Sequence, residues 1–341
     1  MPLGNHTLLL SQEGDLWAFG WNCVGQLGLG HTNDEWQPVK VSWNGPVPVQ
    51  VDWGRSSSLV LDAEGAVWDA GRCRSFTCSP AFQRLPNLPS IASVAAGSAH
   101  CAALDTNGGL WVWTSVPLFS WADTVPKQVE GLPTLLKVAC GGEFLVAEAE
   151  EGDVWVLGLK GYSQPIIINA DRRSKGPLRS LAALDAGMIL VDFQGAVFSA
   201  GNNSHGQLGP MAGFHSKFER VDNIPVMVTA SCGYEQSFFL DEDGRVWTWG
   251  PREAGPLGTN GTSDLHSSTQ VPLLEGISGM VAGAFHFMAF PKSGGMLVSG
   301  GNNYGQLGLN HRIDQRHPEL SPLKLSHPSS ACSRSKSARF L

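Results

Sequence analysis

A turn glycine recurs through this chain at nearly constant spacing, and that period restricts the fold more than any other property. Gly14, Gly65, Gly108, Gly152, Gly195, Gly244 and Gly294 are separated by 51, 43, 44, 43, 49 and 50 residues, so seven units fill most of the 341 residues. Periods of about 20–50 residues mark repeat architectures, in which each unit buries its apolar face against the next. Three residues after each glycine stand Trp17, Trp68, Trp111, Trp155, Phe198, Trp247 and Leu297. These side chains are expected to form the structural core of the repeat, packed between neighbouring units. Six residues after the anchor there is again a glycine in every unit but the third, which has Thr114. Eleven residues before it Gly54, Gly97, Gly141, Gly233 and Gly283 recur, with Leu3 and Leu184 in the first and fifth units.

Each anchor lies in a short polar turn between two apolar runs, as in Cys101–Asp105, Thr106-Asn107-Gly108-Gly109 and Leu110–Trp113. Such a turn is the strongest short-range hairpin signal. An earlier apolar stretch, such as Ile91 to Ala96 or Pro225 to Ala230, supplies another strand, and segments such as Pro38 to Val41 or Pro126 to Val129 supply a fourth. Four short strands per unit describe a propeller blade. The expected fold is all-β, a seven-bladed β-propeller over residues 1–325, with repeats of 43 to 51 residues, closed by N- and C-terminal segments. The first unit begins at its hairpin, so Pro318 to Leu325 is expected to pair with it. Residues 326–341 carry Arg334, Lys336 and Arg339 among serines with no acidic residue, and are expected to be a disordered basic tail.

Composition removes some classes of function. A net charge of -7, a pI near 5.8 and 16% charged residues give no basic field for a phosphate backbone, which disfavours direct nucleic-acid binding by the body of the chain. The N-terminus shows no basic segment followed by a long apolar run, and no stretch reaches the length of a membrane span. Seven irregularly spaced cysteines read as reduced thiols, so a cytoplasmic or nuclear protein is expected.

After the hairpin, Gly25-Gln26-Leu27-Gly28, Gly206-Gln207-Leu208-Gly209 and Gly305-Gln306-Leu307-Gly308 repeat one motif, with Gly255-Pro256-Leu257-Gly258 as a variant. Together with Gly201-Asn202-Asn203, Gly301-Asn302-Asn303 and Ala96-Gly97-Ser98-Ala99-His100, this resembles the regulator of chromosome condensation repeat family over residues 3 to 325. Trp68-Asp69 is the only Trp-Asp pair, and the glycine doublets fall at several repeat positions, so WD-type and kelch blades fit less well. The resemblance implies a propeller that hosts several functions: guanine nucleotide exchange on Ran, modules of ubiquitin ligases and kinases, β-lactamase inhibition and ultraviolet-B sensing. It does not choose among them. The Gly-Trp-Arg-His-Thr motif of the photoreceptor is absent, so the twelve tryptophans read as structural aromatics.

No catalytic constellation, cofactor motif or metal-ligand spacing stands out, and Cys73 and Cys78 lack a second pair. Carboxylates such as Asp62, Asp105 and Asp241 sit at hairpin turns, where turn chemistry accounts for them. Cys140 and Cys232 precede recurring glycines and read as small core residues. His6, His100 and His286 share one repeat position, which reads first as structural. Because a His there is tied to function in the exchange factor, the resemblance keeps His100 and His286 as partner-binding candidates. Units two, three and four replace the Gly-x-Leu-Gly segment with irregular loops, from which Arg72, Arg74, Trp121, Tyr162, Arg172 and Arg173 are expected as interface anchors. The expectation is a monomeric protein-interaction scaffold, not an enzyme, that takes a protein partner such as a small GTPase or a ubiquitin or kinase signalling component. The alternative is an exchange factor for a Ran-like GTPase.

Overall fold

A computed structural model of the chain describes residues 4–72, 78–114, 124–158, 164–168, 176–209, 213–251, 265–272, 274–321 and 323. These form strands and turns with no helix, in seven antiparallel sheets arranged as the blades of a propeller. Blade one has His6–Leu10, Leu16–Gly20 and Glu35–Lys40. Blade two has Pro48–Trp53, Ser57–Asp62, Val67–Gly71 and Ser79–Arg84, and blade three Ile91–Ala96, His100–Asp105, Leu110–Thr114 and Lys127–Gln128. Blade four comprises Leu135–Cys140, Leu145–Ala149, Val154–Leu157 and Ile166–Ile167; blade five Ser180–Ala183, Gly187–Val191, Val197–Asn203 and Gly213–Val221. Blade six comprises Met227–Cys232, Ser237–Asp241, Val246–Gly250 and Leu265–Gln270; blade seven Ile277–Ala282, His286–Pro291, Leu297–Gly300 and Gln315–Leu320. In blades two to seven the four run in chain order from inner to outer strand.

The anchor glycines do what the period required. All seven take a positive φ, between 79° and 90°, which only glycine adopts without strain. Where an aspartate stands three residues earlier, it fastens the turn: Asp62 Oδ1 accepts from the N–H groups of Glu64 and Ala66, and its Oδ2 from the indole of Trp68 at 2.8 Å. Asp105 with Trp111 and Asp241 with Trp247 repeat this arrangement. Burial works to raise the Asp105 and Asp241 carboxyls, yet these donors, and Arg245 beside Asp241, hold both below the ordinary carboxylate range.

The repeat tryptophans therefore differ from their expected setting. Trp17, Trp68, Trp111, Trp155 and Trp247, with Leu297, pack against the inter-blade clusters but remain only partly buried, and Phe198 alone is fully inside. A tryptophan that must present its N–H to a turn aspartate sits at the blade rim. Among the described residues the fully buried indoles are Trp53, Trp113 and Trp249.

Blades one, five and seven are clamped by the Gly-Gln-Leu-Gly loop. Asn22 Oδ1 accepts from Leu27 N–H at 2.9 Å, Leu27 is wholly buried, and the Gln26 carbonyl receives the Ser58 hydroxyl of blade two at 2.6 Å. The same relation joins Gln306 to Thr7 and Gln207 to Ser237. The variant loop of unit six lies outside the described residues.

Of the segment expected to pair with blade one, Pro318–Leu320 pairs elsewhere, and residues 322, 324 and 325 lie outside the described residues. Gln315–Leu320 does not reach blade one but runs beside Leu297–Gly300, with Leu320 opposite Leu297 and Gln315 opposite Gly300. It is the outer strand of blade seven, spaced from its partner as Glu35 is from Gly20 in blade one. Among the described residues blades one and seven meet by packing and by bonds such as Asn310 N–H to the Trp36 carbonyl at 2.8 Å.

Candidate interaction face

Antiparallel blades place the inner-to-second and third-to-outer loops at one end of the propeller, opposite the glycine turns. At this end the loops between inner and second strands ring the central channel and bond to one another. Arg55 N–H donates to Gly97, Ser98 to Gly141, Gly142 to Asp185, Asp185 to Tyr234, Tyr234 to Ala284 and Ala284 to Gly4, each from backbone N–H to carbonyl over 2.9 to 3.3 Å. Side chains that project from this ring form a polar cluster gathered from five blades. Asp185 accepts hydrogen bonds from the Tyr234 hydroxyl and from Ser98, with Glu143 and Arg55 close enough to act on its charge. Burial, followed by Glu143, raises the Asp185 carboxyl, while Tyr234, Arg55 and Ser98 oppose the rise. The Tyr234 phenol is raised too, first by the charge of Asp185. Arg55 and Glu143 are exposed, and the Tyr234 ring lies 5.7 Å from that of Phe285.

Further out at the same end, the Trp21 and Tyr304 rings are 6.0 Å apart across the seam between blades one and seven. Nearby Arg312 stacks over half-exposed Trp36 at 4.6 Å. The end as a whole offers charge of both signs and aromatic surface on a fixed backbone, which suits a protein partner.

The candidates read from sequence fare unevenly. His100 and His286 are 1% exposed, so neither offers surface to a partner. Burial lowers His100 to about 4 and His286 to about 3, which keeps both neutral and within the core. Arg72 is half-buried at the end of the third strand of blade two, with its backbone N–H bonded to Ser56. Arg74, Trp121, Tyr162, Arg172 and Arg173 lie outside the described residues. Cys140 and Cys232 are core residues as expected, their thiols pushed up by burial, Cys232 to about 12. Among the described residues no group of three His, Cys, Asp or Glu is placed to hold a metal ion.

Sequence reasoning missed Arg55, Asp185 and Tyr234. All three stand one residue beyond the recurring glycine position, where Ser98, Gly142 and Ala284 stand in other units. The signal was a position of changing character beside a constant one.

The sequence profile of the regulator of chromosome condensation (RCC1) repeat matches residues 13–61, across the first hairpin, its Gly-Gln-Leu-Gly loop and the start of blade two. The chain thus carries a regulator of chromosome condensation repeat, and its similarity to proteins of that type runs well beyond those residues. Among RCC1-type relatives, the ultraviolet-B receptor UVR8 of Arabidopsis thaliana is 24% identical over 93% of this chain and 79% of its own length. The regulator of chromosome condensation of Mus musculus is 26% identical, over 79% of this chain and 75% of the relative. The E3 ubiquitin-protein ligase HERC2 of the same species is 26% identical over 80% of this chain, which spans 6% of the ligase. Yeast RCC1 (Prp20) bound to Kap60 superimposes with a TM-score of 0.79 at 17% identity, over 96% of this chain and 86% of that one. Prp20p of Saccharomyces cerevisiae gives 0.77 at 18% identity, over 96% and 88%.

Proposed function

We propose that this RCC1-type propeller is a protein-interaction scaffold whose partner seats on the channel-mouth end, contacting Arg55, Glu143, Asp185 and Tyr234. The observation that carries the reading is the convergence of these side chains from separate blades onto one hydrogen-bonded ring. Ordered backbone beneath a mixed-charge, aromatic surface lowers the entropy cost of binding. Related chains point the same way: Prp20p has binding properties to Gsp1p and histones. The working compartment is the nucleus or cytoplasm, and the partner classes are a small GTPase or a component of ubiquitin or kinase signalling.

Affinity capture with the whole chain tests the proposal, comparing wild type with Asp185→Arg and Tyr234→Ala. Loss of the same captured protein in both variants, at unchanged thermal stability, is expected. Retention in both would place the binding surface elsewhere.

A second reading is favoured by the similarity to mouse regulator of chromosome condensation over most of this chain. On it, the same end engages a Ran-like GTPase and stabilises its nucleotide-free form, acting as an exchange factor. Nucleotide release from a panel of GTPases separates the readings, since a scaffold leaves every release rate unchanged.

A further inference from the structure

The turn aspartates of blades two, three and six use both carboxylate oxygens, one on the turn amides and one on the indole six residues on. Blade five keeps the turn without the indole. Asp192 Oδ1 accepts from the N–H groups of Gln194 and Ala196, both at 2.9 Å, but the residue six on is Phe198, which has nothing to donate. Among the described residues Asp192 Oδ2 accepts no hydrogen bond, although Asp192 is only 3% exposed. The aspartate lines a cavity of about 520 Å³ on the rim of blade five. We propose that this cavity binds an arginine side chain of a partner protein, whose guanidinium takes the free oxygen of Asp192.

Blade six shows how such a site is filled. Counted from the turn glycines Gly195 and Gly244, Asp192, Gln194, Ala196 and Phe198 correspond to Asp241, Asp243, Arg245 and Trp247. Arg245 Nε donates to Asp241 Oδ2 at 2.8 Å and its terminal amino group to Asp243, while the Trp247 indole reaches the same Oδ2 at 2.9 Å. Blade five lacks both donors, and its four corresponding residues all line the cavity. Phe198, 3% exposed, stands in the place of the indole, so an incoming tryptophan would collide with it. Ala196 ends at Cβ and leaves the course of Arg245 open. A guanidinium arriving there finds the Asp192 carboxylate, and the Gln194 amide carbonyl where blade six has Asp243. A charge-assisted bond of this kind is about twice as strong as one between neutral groups.

The outer strand of the blade narrows the ligand further. Glu219 brings a second carboxylate to the cavity, with one oxygen 3.3 Å from His215 Nδ1. Lys217 and Arg220 are exposed on the same wall; Arg220 lies opposite Phe198 in the ladder and 3.4 Å from the Asp222 carboxylate. These two cations repel a lone guanidinium and favour one that arrives with a carboxylate beside it. The segment recognised is therefore an arginine next to an acidic residue. The cavity lies at the glycine-turn end, so a partner held there leaves Arg55, Asp185 and Tyr234 at the channel mouth uncovered.

The test is isothermal titration of the full-length chain with the peptide acetyl-Arg-Glu-amide. The unaltered chain should bind it saturably at millimolar concentration. It should bind acetyl-Lys-Glu-amide at least about tenfold more weakly, because an ammonium lacks the planar fork of donors. Asp192→Asn keeps an acceptor for the turn amides and should weaken the arginine peptide at least about tenfold, since hydrogen bonds to a charged group are the stronger ones. Ala196→Arg supplies from within the chain the guanidinium that blade six already has. It should abolish binding without lowering the melting temperature. Absence of saturable binding to the unaltered chain would overturn the proposal, as would undiminished binding by Ala196→Arg. A lowered melting temperature in Ala196→Arg would also overturn it, by showing that no guanidinium fits beside Asp192. Tighter binding of acetyl-Trp-Glu-amide than of the arginine peptide would do the same and give the cavity to an indole.

Discussion

Nε2 of His6 in blade one stands 2.8 Å from Oγ of Ser58 in blade two. The Ser58 hydroxyl has one proton and directs it to the Gln26 carbonyl at 2.6 Å, so the imidazole must be the donor and Nε2 carries the hydrogen. Across the seam between blades seven and one the logic repeats. Thr7 donates to the Gln306 carbonyl at 2.8 Å and accepts from Nε2 of His286 at 2.9 Å. Each histidine thus reads the hydroxyl of the next blade in one tautomer, and its neutral form belongs to the folded state.

That requirement makes stability depend on pH. Burial lowers His6 and His286 from 6.5 to about 3, with His286 adding to the effect on His6. The unfolded chain therefore takes up protons first, so the contribution is complete above the unfolded value of 6.5 and is lost as pH falls toward the folded value. Denaturant titrations in steps from about pH 7.5 to 4.5 should show stability declining with acid, and His6→Asn with His286→Asn should flatten the decline. An unchanged slope in the double variant would refute the assignment. Asp105 and Asp241, held low, add their own loss only below the ordinary carboxylate range.

The glycine three residues before His286 is fixed by the ring itself. A Cβ on Gly283 would lie 1.9 Å from Cε1 of His286, and one on Gly97 would lie 2.7 Å from Cε1 of His100. Gly283→Ala should cost about 1–3 kcal/mol by overpacking. Gly279→Ala, whose nearest neighbour would be 3.8 Å away, is the control and should change little. Equal melting temperatures for the two variants would contradict this steric reading.

Blade four has a buried, ion-paired glutamate where the other blades have an apolar side chain. Lys137 Nζ donates to Glu148 at 2.7 Å, Glu148 is fully buried, and its other oxygen accepts from Leu178 N–H at 2.6 Å on the way to blade five. The equivalent residues elsewhere include Leu10, Leu61, Leu104, Leu240 and Phe290. Glu148→Ala strands the lysine and should cost about 3–5 kcal/mol, while Lys137→Met with Glu148→Leu should be near neutral. A double-mutant cycle in urea checks this, and additive losses would show that the pair is not coupled.

Among the tryptophans, the buried set should dominate stability. Trp113→Ala and Trp249→Ala are expected to cost about 3–5 kcal/mol, and Trp111→Ala and Trp247→Ala clearly less, because the latter are partly exposed at the rim. Chemical denaturation of the four variants ranks them, and the reverse order would contradict the packing described.

The seven-unit period, the turn at each anchor glycine and the inner strand Ile91–Ala96 were legible in sequence because local turn chemistry and apolar spacing fix them. The fate of Gln315–Leu320 was not, since pairing in a ring depends on which edge is open, a property of the assembled blades. Asp185 and Tyr234 escaped for a related reason. They come together only when loops one repeat apart in sequence are brought side by side around the channel, and neither carries a spacing of its own. The rim position of Trp68 and Trp111 escaped because a large indole signals burial, whereas its N–H is claimed by a turn aspartate six residues earlier.

Because the loops at the channel mouth hold one another through main-chain groups, the fold asks little of the side chains mounted there, except at Gly142, where a Cβ would lie 2.6 Å from the Asp185 carbonyl oxygen. Arginine, serine, glycine, aspartate, tyrosine and alanine occupy equivalent places at Arg55, Ser98, Gly142, Asp185, Tyr234 and Ala284, and each still donates its N–H to a carbonyl of the next loop. The molecule is in this sense a dial with interchangeable faces. New recognition can be written onto it one blade at a time while the mechanism behind the dial stays as it was.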